Sequence, residues 1–375
     1  MKKVVIAIDS FKGCLPSAEA GKAAAEGIRS VYPECEVICL PIADGGEGML
    51  DVLITATNGQ EVPISAHDPL MRWRNTYYGI SENGETAFIE MASISGLPLV
   101  PPEKRNPMLT TTYGTGEIIR DALERGCRNF IIGIGGSATN DAGLGMLQAL
   151  GFHFSDNKGK EVGTGRGEIL IKVAHIDSTC VHPALNSCRF TVACDVQNPF
   201  YGPEGAAYVF APQKGAGREI VEALDAGLQN LAEVIRHTTG KDISHHPGAG
   251  AAGGMGGSLL AFLNAELKPG IQLMLEALNF SNKIKSADLI ITGEGKADRQ
   301  TLMGKVPSGI LAEARKQDIP VILLAGNIED SDELQQAGFE GVFSVNPPFI
   351  SLEEAMRPEV ARKNIQQTVE CICKK

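Results

Sequence analysis

Both ends of this chain carry the same alternation of short apolar runs with amphipathic helical stretches. Val4 to Ile8 is fully apolar, Ala18 to Val31 has an alanine-rich face, and Glu36 to Ile42 is a second extended run. A loop and a helix around Met49 to Ala56 follow. Strands joined in this way through helices lie parallel in a layered α/β domain. The pattern returns near the end, with strands at Leu289 to Thr292, Val321 to Ala325 and Gly341 to Val345. A helix at Pro307 to Lys316 lies among them, and a last helix runs from about Glu353 to Cys373. Neither set has enough strands for a sheet, and joined they give five. The expected architecture is therefore one α/β domain, residues 1–61 with 268–375, interrupted by an inserted mixed α/β domain, residues 62–267.

The middle of the chain reads differently. Trp73 to Ile80 and Ala87 to Met91 look antiparallel about the turn Glu82-Asn83-Gly84-Glu85. Val62 to Ile64 is expected at a sheet edge, because Pro63 has no N–H to donate. After a helix from Tyr113 to Arg125 comes an isoleucine-rich strand, Phe130 to Ile134. It stops at Gly135-Gly136, and small polar residues lead into an apolar helix, Ala142 to Leu150. A strand that turns through glycines into a helix N-terminus gathers backbone N–H groups and the positive end of the helix dipole, a seat for phosphate or carboxylate. Ser137, Thr139 and Asn140 add side-chain donors, and Asp141 could hold a metal or a proton. The competing reading is a glycine turn with an ordinary Asn or Asp cap.

Composition narrows the function. The net charge is −11 and no lysine or arginine cluster occurs, which argues against nucleic acid and anionic membrane as partners. The five apolar residues before Asp9 are too few for a signal peptide, and no apolar run approaches a membrane span. The nine scattered cysteines lack metal-type spacing, and the histidines show no HExxH, so free thiols in the cytoplasm and no zinc are expected.

In an open parallel sheet, ligands gather beyond the carboxyl ends of the strands. Those ends carry Asp9-Ser10-Phe11-Lys12-Gly13, Ala43-Asp44-Gly45-Gly46-Glu47-Gly48, Thr292-Gly293-Glu294-Gly295-Lys296 and Gly326-Asn327. Glycines allow close backbone approach, while each acid can coordinate Mg²⁺ or take a proton. Asp9, Lys12, Asp44, Glu47, Glu294 and Lys296 are expected to line one wall of a site between the domains. In the middle domain, Asp195 follows the strand Phe190 to Cys194 and has Gln197 and Asn198 beside it. It is read as general base or Mg²⁺ ligand, or as a capping Asp. No GxxxxGK[ST] occurs, so any nucleotide is held by another device than a P-loop. Gly133 to Ala138 fits GxGxxA with Asp156 at the right distance, which leaves a nicotinamide-dependent oxidoreductase as the alternative. The segment Phe152 to Asp156 is, however, barely a strand. A non-catalytic metabolite sensor is a third reading, disfavoured by so many carboxylates on strand ends.

Six segments in order, DSFKG (Asp9 to Gly13), ADGGEG (Ala43 to Gly48), GIGGSATNDAG (Gly133 to Gly143), DVQNPF (Asp195 to Phe200), GAGAAGGMG (Gly248 to Gly256) and ITGEGKADRQT (Ile291 to Thr301), resemble the bacterial glycerate kinase family, class I. The resemblance covers nearly the whole chain. It implies ATP- and Mg²⁺-dependent phosphorylation of D-glycerate, with 2-phosphoglycerate favoured over 3-phosphoglycerate. It also implies a flavodoxin-like domain interrupted by a restriction-endonuclease-like α/β domain. For such a reaction, residue chemistry makes Asp195, Asp9 and Lys12 the catalytic candidates, with Asp195 and Asp44 as candidate metal ligands. Ser10, Asp44, Glu47, Gly135, Gly136, Ser137, Thr139, Asn140, Glu294 and Lys296 are the expected contacts to substrate and phosphates.

Overall fold

A computed structural model describes residues 1–46 and 48–374. In chain order the strands are β1 (Lys3–Ile8), β2 (Glu36–Cys39), β3 (Gln60–His67), β4 (Trp73–Ile80), β5 (Thr86–Glu90) and β6 (Asn129–Gly133). They continue with β7 (His153–Ser155), β8 (His175–Asp177), β9 (Arg189–Ala193), β10 (Glu266–Lys268), β11 (Leu289–Ala297), β12 (Val321–Ile328) and β13 (Gly341–Ser344). The chain divides into two compact units, residues 1–44 with 271–375, and residues 45–270.

The first unit is built on a five-stranded sheet of order β13-β12-β11-β1-β2, parallel at every pairing. Counted within the unit this is 2-1-3-4-5, the flavodoxin-like order, and its direction of winding reverses between β1 and β11. Val4 to Ile8 are all buried, as an apolar strand covered on both faces requires. The helix Ser17–Val31 turns its small residues inward: Ala20, Ala24 and Gly27 are buried, and it lies against the helix Pro358–Cys373. At Gly27 the helices approach so closely that a Cβ would stand 2.5 Å from the Gln366 carbonyl oxygen.

Two local departures from the sequence reading have physical causes. The final helix is two, Leu352–Ala355 and Pro358–Cys373, because Pro358 pushes Arg357 into an extended conformation. β11 runs on to Ala297 because β12 continues beside it, pairing Lys296 with Asn327 and Ala297 with Ile328. Glu294 and Lys296 therefore sit on the strand itself, two residues apart and on the same face.

The second unit holds a six-stranded mixed sheet of order β10-β9-β6-β5-β4-β3. Strands β10, β9, β6 and β5 pair in parallel, and β5, β4 and β3 form an antiparallel meander. β3 lies at the edge, as Pro63 demands, although it is longer than the three residues expected. Phe130 of β6 and Phe190 of β9 are register partners whose rings stack at 4.7 Å in the core. The helix Met49–Ala56 belongs to this unit, although the sequence reading set it with the first domain. Its Ile54 covers Gly79 of β4, and its Leu50 N–H donates to Glu90 Oε1 at 2.8 Å.

The contact at Gly27 is directly testable. Gly27→Leu forces a side chain into backbone across a packed helix pair and should destabilise the protein by about 1–3 kcal/mol. Chemical denaturation of the variant beside the parent measures it.

Candidate functional site

In the first unit a cavity of about 350 Å³ opens beyond the carboxyl end of β1 and over the last residues of β11 and β12. It brings together Asp9, Ser10, Lys12, Asp44, Glu294 and Lys296, as their positions at strand ends suggested. Glu47 lies outside the described residues. Asp9 extends β1, its N–H donating to the Gly293 carbonyl at 2.9 Å, and its Oδ1 accepts from the Ser10 N–H at 2.7 Å. Burial, then the charges of Asp44 and Glu294, push its carboxyl up to about 6, against the Ser10 N–H and Lys12. Lys12 donates to Asp44 Oδ2 at 3.5 Å. Desolvation works against its ammonium, but Asp44 and Asp9 outweigh this and hold its pKa above the usual lysine value.

Glu294 is buried and doubly held, its Oε1 accepting from Thr301 Oγ1 at 2.6 Å and its Oε2 from Lys305 Nζ at 3.3 Å. Burial still pushes its carboxyl up against both partners. Thr301 belongs to a capping box with Asp298, so that capped turn is tied to Glu294 through one hydroxyl. Lys296 is half exposed and already bridged to Glu329 at 2.9 Å and Asp298 at 3.5 Å. Lys305, at the N-cap of the helix Val306–Arg315, is the cation on Glu294, and the sequence reading passed over it. Its one signal in the sequence is the Gly304-Lys305 pair, which Val306 follows in place of the Ser or Thr of a P-loop. Phe11, Leu352 and Met356 form an apolar side of the cavity.

Among the described residues no group of three or more His, Cys, Asp or Glu is arranged to hold a metal. Asp9 and Asp44 nevertheless crowd one cavity closely enough to raise the Asp9 carboxyl. Two carboxylates suit Mg²⁺, which takes one or two from protein and the rest of its shell from phosphates and water. Asp195 is exposed in the second unit, and its Oδ1 accepts the Gly270 N–H at 2.8 Å, the first residue of the helix Gly270–Ala277. That is the geometry of a capping aspartate.

The glycine loop after β6 is likewise in the second unit, and its structure corrects one expectation. The helix starts at Leu144 and not at Ala142, because Ala142 (φ +52°) and Gly143 (φ +75°) are left-handed. The anion seat at that helix start is filled from within. Asp141, fully buried, accepts from the N–H groups of Gly143 at 3.1 Å and Gly145 at 3.3 Å, and from the N–H and hydroxyl of Thr112, both at 2.8 Å. Burial pushes its carboxyl up against these four donors, which make it an internal cap for two helix starts.

The rest of the loop is arranged otherwise. Gly135 and Gly136 are exposed, and the φ of +73° at Gly136 favours glycine there. Lys214, which no motif in the sequence marked, is 2% exposed and donates to Ser137 Oγ at 2.8 Å and to the Thr139 carbonyl at 2.6 Å. Burial pushes its ammonium down to about 7, opposed by Asp141. The Thr139 hydroxyl and both polar atoms of the Asn140 side chain are buried without a partner.

The dinucleotide fingerprint at Gly133 to Ala138 fails in three dimensions. It requires the next strand to lie beside β6, but the neighbours of β6 are β5 and β9. β7 pairs with β8 in a separate sheet, and Asp156 closes a turn by accepting from the Lys158 and Lys160 N–H groups at 2.8 and 2.9 Å.

Residues 4–375 match the model of the glycerate kinase family. The chain is 48% identical over 356 residues to the glycerate 2-kinase of Escherichia coli (strain K12), covering 95% of this chain and 93% of that one. It is 47% identical over 354 residues to the glycerate kinase of Bacillus subtilis (strain 168), covering 94% and 92%. A crystal structure described as a glycerate kinase 2 from Salmonella typhimurium LT2 superposes with a TM-score of 0.90 at 43% identity, covering 100% of this chain and 97% of that one. With matches of this extent across both units, the chain belongs to the glycerate kinase family and is a kinase.

Proposed function

We propose that this kinase transfers the terminal phosphoryl group of ATP to the 2-hydroxyl of D-glycerate, giving 2-phosphoglycerate and ADP, with Mg²⁺ on the phosphates. The observation that carries the reading is the cavity at the β1/β11 reversal, where Lys12, Lys296 and Lys305 share one surface with Asp9, Asp44 and Glu294. The relative named glycerate 2-kinase supports the 2-position. That none of the nine cysteines is in a disulfide, and that no described helix is long and apolar enough to cross a membrane, fit a cytoplasmic enzyme.

Phosphoryl transfer asks a protein to position the reactants and neutralise charge. The lysines of the cavity supply positive charge to phosphate and carboxylate oxygens, and Lys12 keeps its charge because Asp44 and Asp9 favour it. Mg²⁺, held through Asp44, would neutralise charge on the phosphate oxygens. Asp9 is the base in this reading. Its raised proton affinity, near 6, lets it take the proton of the substrate hydroxyl while that oxygen bonds to phosphorus and the bond to ADP breaks. Glu294, pinned by Thr301 and Lys305, orients Lys305. In the second unit, Gly135, Gly136, Ser137, Thr139 and Asn140 are assigned to an anionic group of the substrates. Asp195 remains the alternative base or metal ligand, ranked below Asp9 because its carboxylate is engaged as a cap.

Phosphorus NMR of the product formed from D-glycerate, ATP and Mg²⁺ tests the reaction. The expected resonance is that of 2-phosphoglycerate; 3-phosphoglycerate overturns the regiochemistry, and no phosphoglycerate overturns the reading. Asp9→Asn should lower kcat about 10²–10⁴-fold, the usual worth of a positioned base. A near-normal kcat would return the role to Asp195.

The same variant carries a stability signature. The Asp9 carboxyl rises from 3.8 to about 6 on folding, so between these values the native state binds more protons than the unfolded chain, and stability falls as pH rises. At roughly 1.4 kcal/mol per unit, the loss is up to ~3 kcal/mol above pH 7. Asp9→Asn should therefore melt at higher temperature than the parent at pH 8 and nearly with it at pH 4, read by calorimetric melting at both pH values.

A further inference from the structure

We infer that Lys214 is the buried cation behind an anion-binding loop, polarising Ser137 so that its hydroxyl donates to a carboxylate or phosphate oxygen of a substrate. This rests on the reading above that the loop of residues 135–140 holds an anionic group. The role of Lys214 follows from the hydrogen bonds around it. In its charged form, which a bound anion favours, Lys214 only donates, so Ser137 Oγ accepts at the 2.8 Å contact and its own proton has to point elsewhere. Among the described residues no acceptor takes that proton. Ser137 is 7% exposed, beside the exposed Gly135 and Gly136, so the free donor sits at the edge of the loop, where a ligand can reach it.

The charge behind it is not discharged within the protein. Among the described residues its hydrogen bonds go to Ser137 and the Thr139 carbonyl, and the carboxylate whose charge acts on it, Asp141, already accepts from four donors. The next two residues of the loop add the second, independent observation. The Thr139 hydroxyl, Asn140 Oδ1 and Asn140 Nδ2 are buried and unpartnered. Each such atom costs stability, so three of them on consecutive residues beside a buried ammonium are hard to explain as packing. They are explained as a polar surface completed when an anion, or the water it orders, arrives. Lys214 is thus a positioning residue: it touches the loop, and Ser137 touches the ligand.

The experiment is a double-mutant cycle on Ser137→Ala and Lys214→Met, with KM for D-glycerate, KM for ATP, kcat and melting temperature measured for each protein. Either single change should raise KM for the same one of the two ligands about tenfold, the worth of a hydrogen bond to a charged group, with kcat changed much less. The double variant should be no worse than the poorer single within a few-fold. A rise in KM for D-glycerate identifies the carboxylate as the bound group, and a rise for ATP identifies a phosphate. Fully additive effects, or a Lys214→Met protein that melts lower with both KM values unchanged, overturns the inference. Should Lys214→Met fail to fold, Ser137→Ala decides alone, since unchanged KM values for both ligands refute the polarised donor. Should the parent make no phosphoglycerate at all, the loop is tested apart from the reaction by titrating inorganic phosphate calorimetrically. Weaker binding to Ser137→Ala than to the parent upholds the site, and equal or absent binding refutes it.

Discussion

The pairing of β1 with β11 is the interaction on which the first unit depends. Its register runs from Val4↔Leu289 to Ile8↔Gly293, and the side chain of Asp288 fastens the same edge by accepting the Lys3 N–H at 3.0 Å, 285 residues away in sequence. Without this ladder the chain has two strands at one end and three at the other, neither able to bury an apolar sheet on both faces. Closing so long a loop costs conformational entropy, but the cost rises only logarithmically with length, so a large insertion is tolerable. The same pairing creates the place where winding reverses, and with it the cavity that receives Asp9 and Glu294.

Both units bury ionisable groups, and the way each group is satisfied separates framework from chemistry. Asp141 has four donors and closes two helix starts, so its charge serves the loop around it. The Asp9 carboxylate accepts from the Ser10 N–H and has two acidic neighbours, Asp44 and Glu294, and its proton affinity is raised towards neutrality. A protein selected for stability alone would relieve such crowding, which is why a carboxyl raised by burial and acidic neighbours in a cavity is a candidate for chemistry. Lys214 belongs with Asp9 in this respect, being buried at a cost and only partly compensated.

Much of the fold was legible because it rests on local rules. The apolar run of β1, the small-residue face of the helix Ser17–Val31, the β4–β5 hairpin and the edge position forced by Pro63 follow from side-chain periodicity and backbone chemistry. The acids that follow β1 and β2 and the one near the end of β11 were legible for the same reason, since carboxylates beside glycines at a strand's carboxyl end stand out in the sequence itself. The break before Pro358 was equally local and could have been read from the proline.

What only the tertiary structure decided concerns partners distant in sequence. The length of β11 depended on β12 beside it, which turned Glu294 and Lys296 from loop residues into neighbours on one strand face. The pairing of β7 with β8 removed the strand that the dinucleotide fingerprint needed. Asp141 became an internal cap because Thr112 meets it from another helix, and Lys305 and Lys214 acquired their roles from Glu294 and Ser137. The amino-acid sequence by itself determined which segments are strands and helices and which residues carry reactive chemistry, because those properties reside in each residue and its near neighbours. Which carboxylate is crowded, which is satisfied and which lysine is buried are properties of assembled pairs, because desolvation and hydrogen bonding act between groups that only folding brings together.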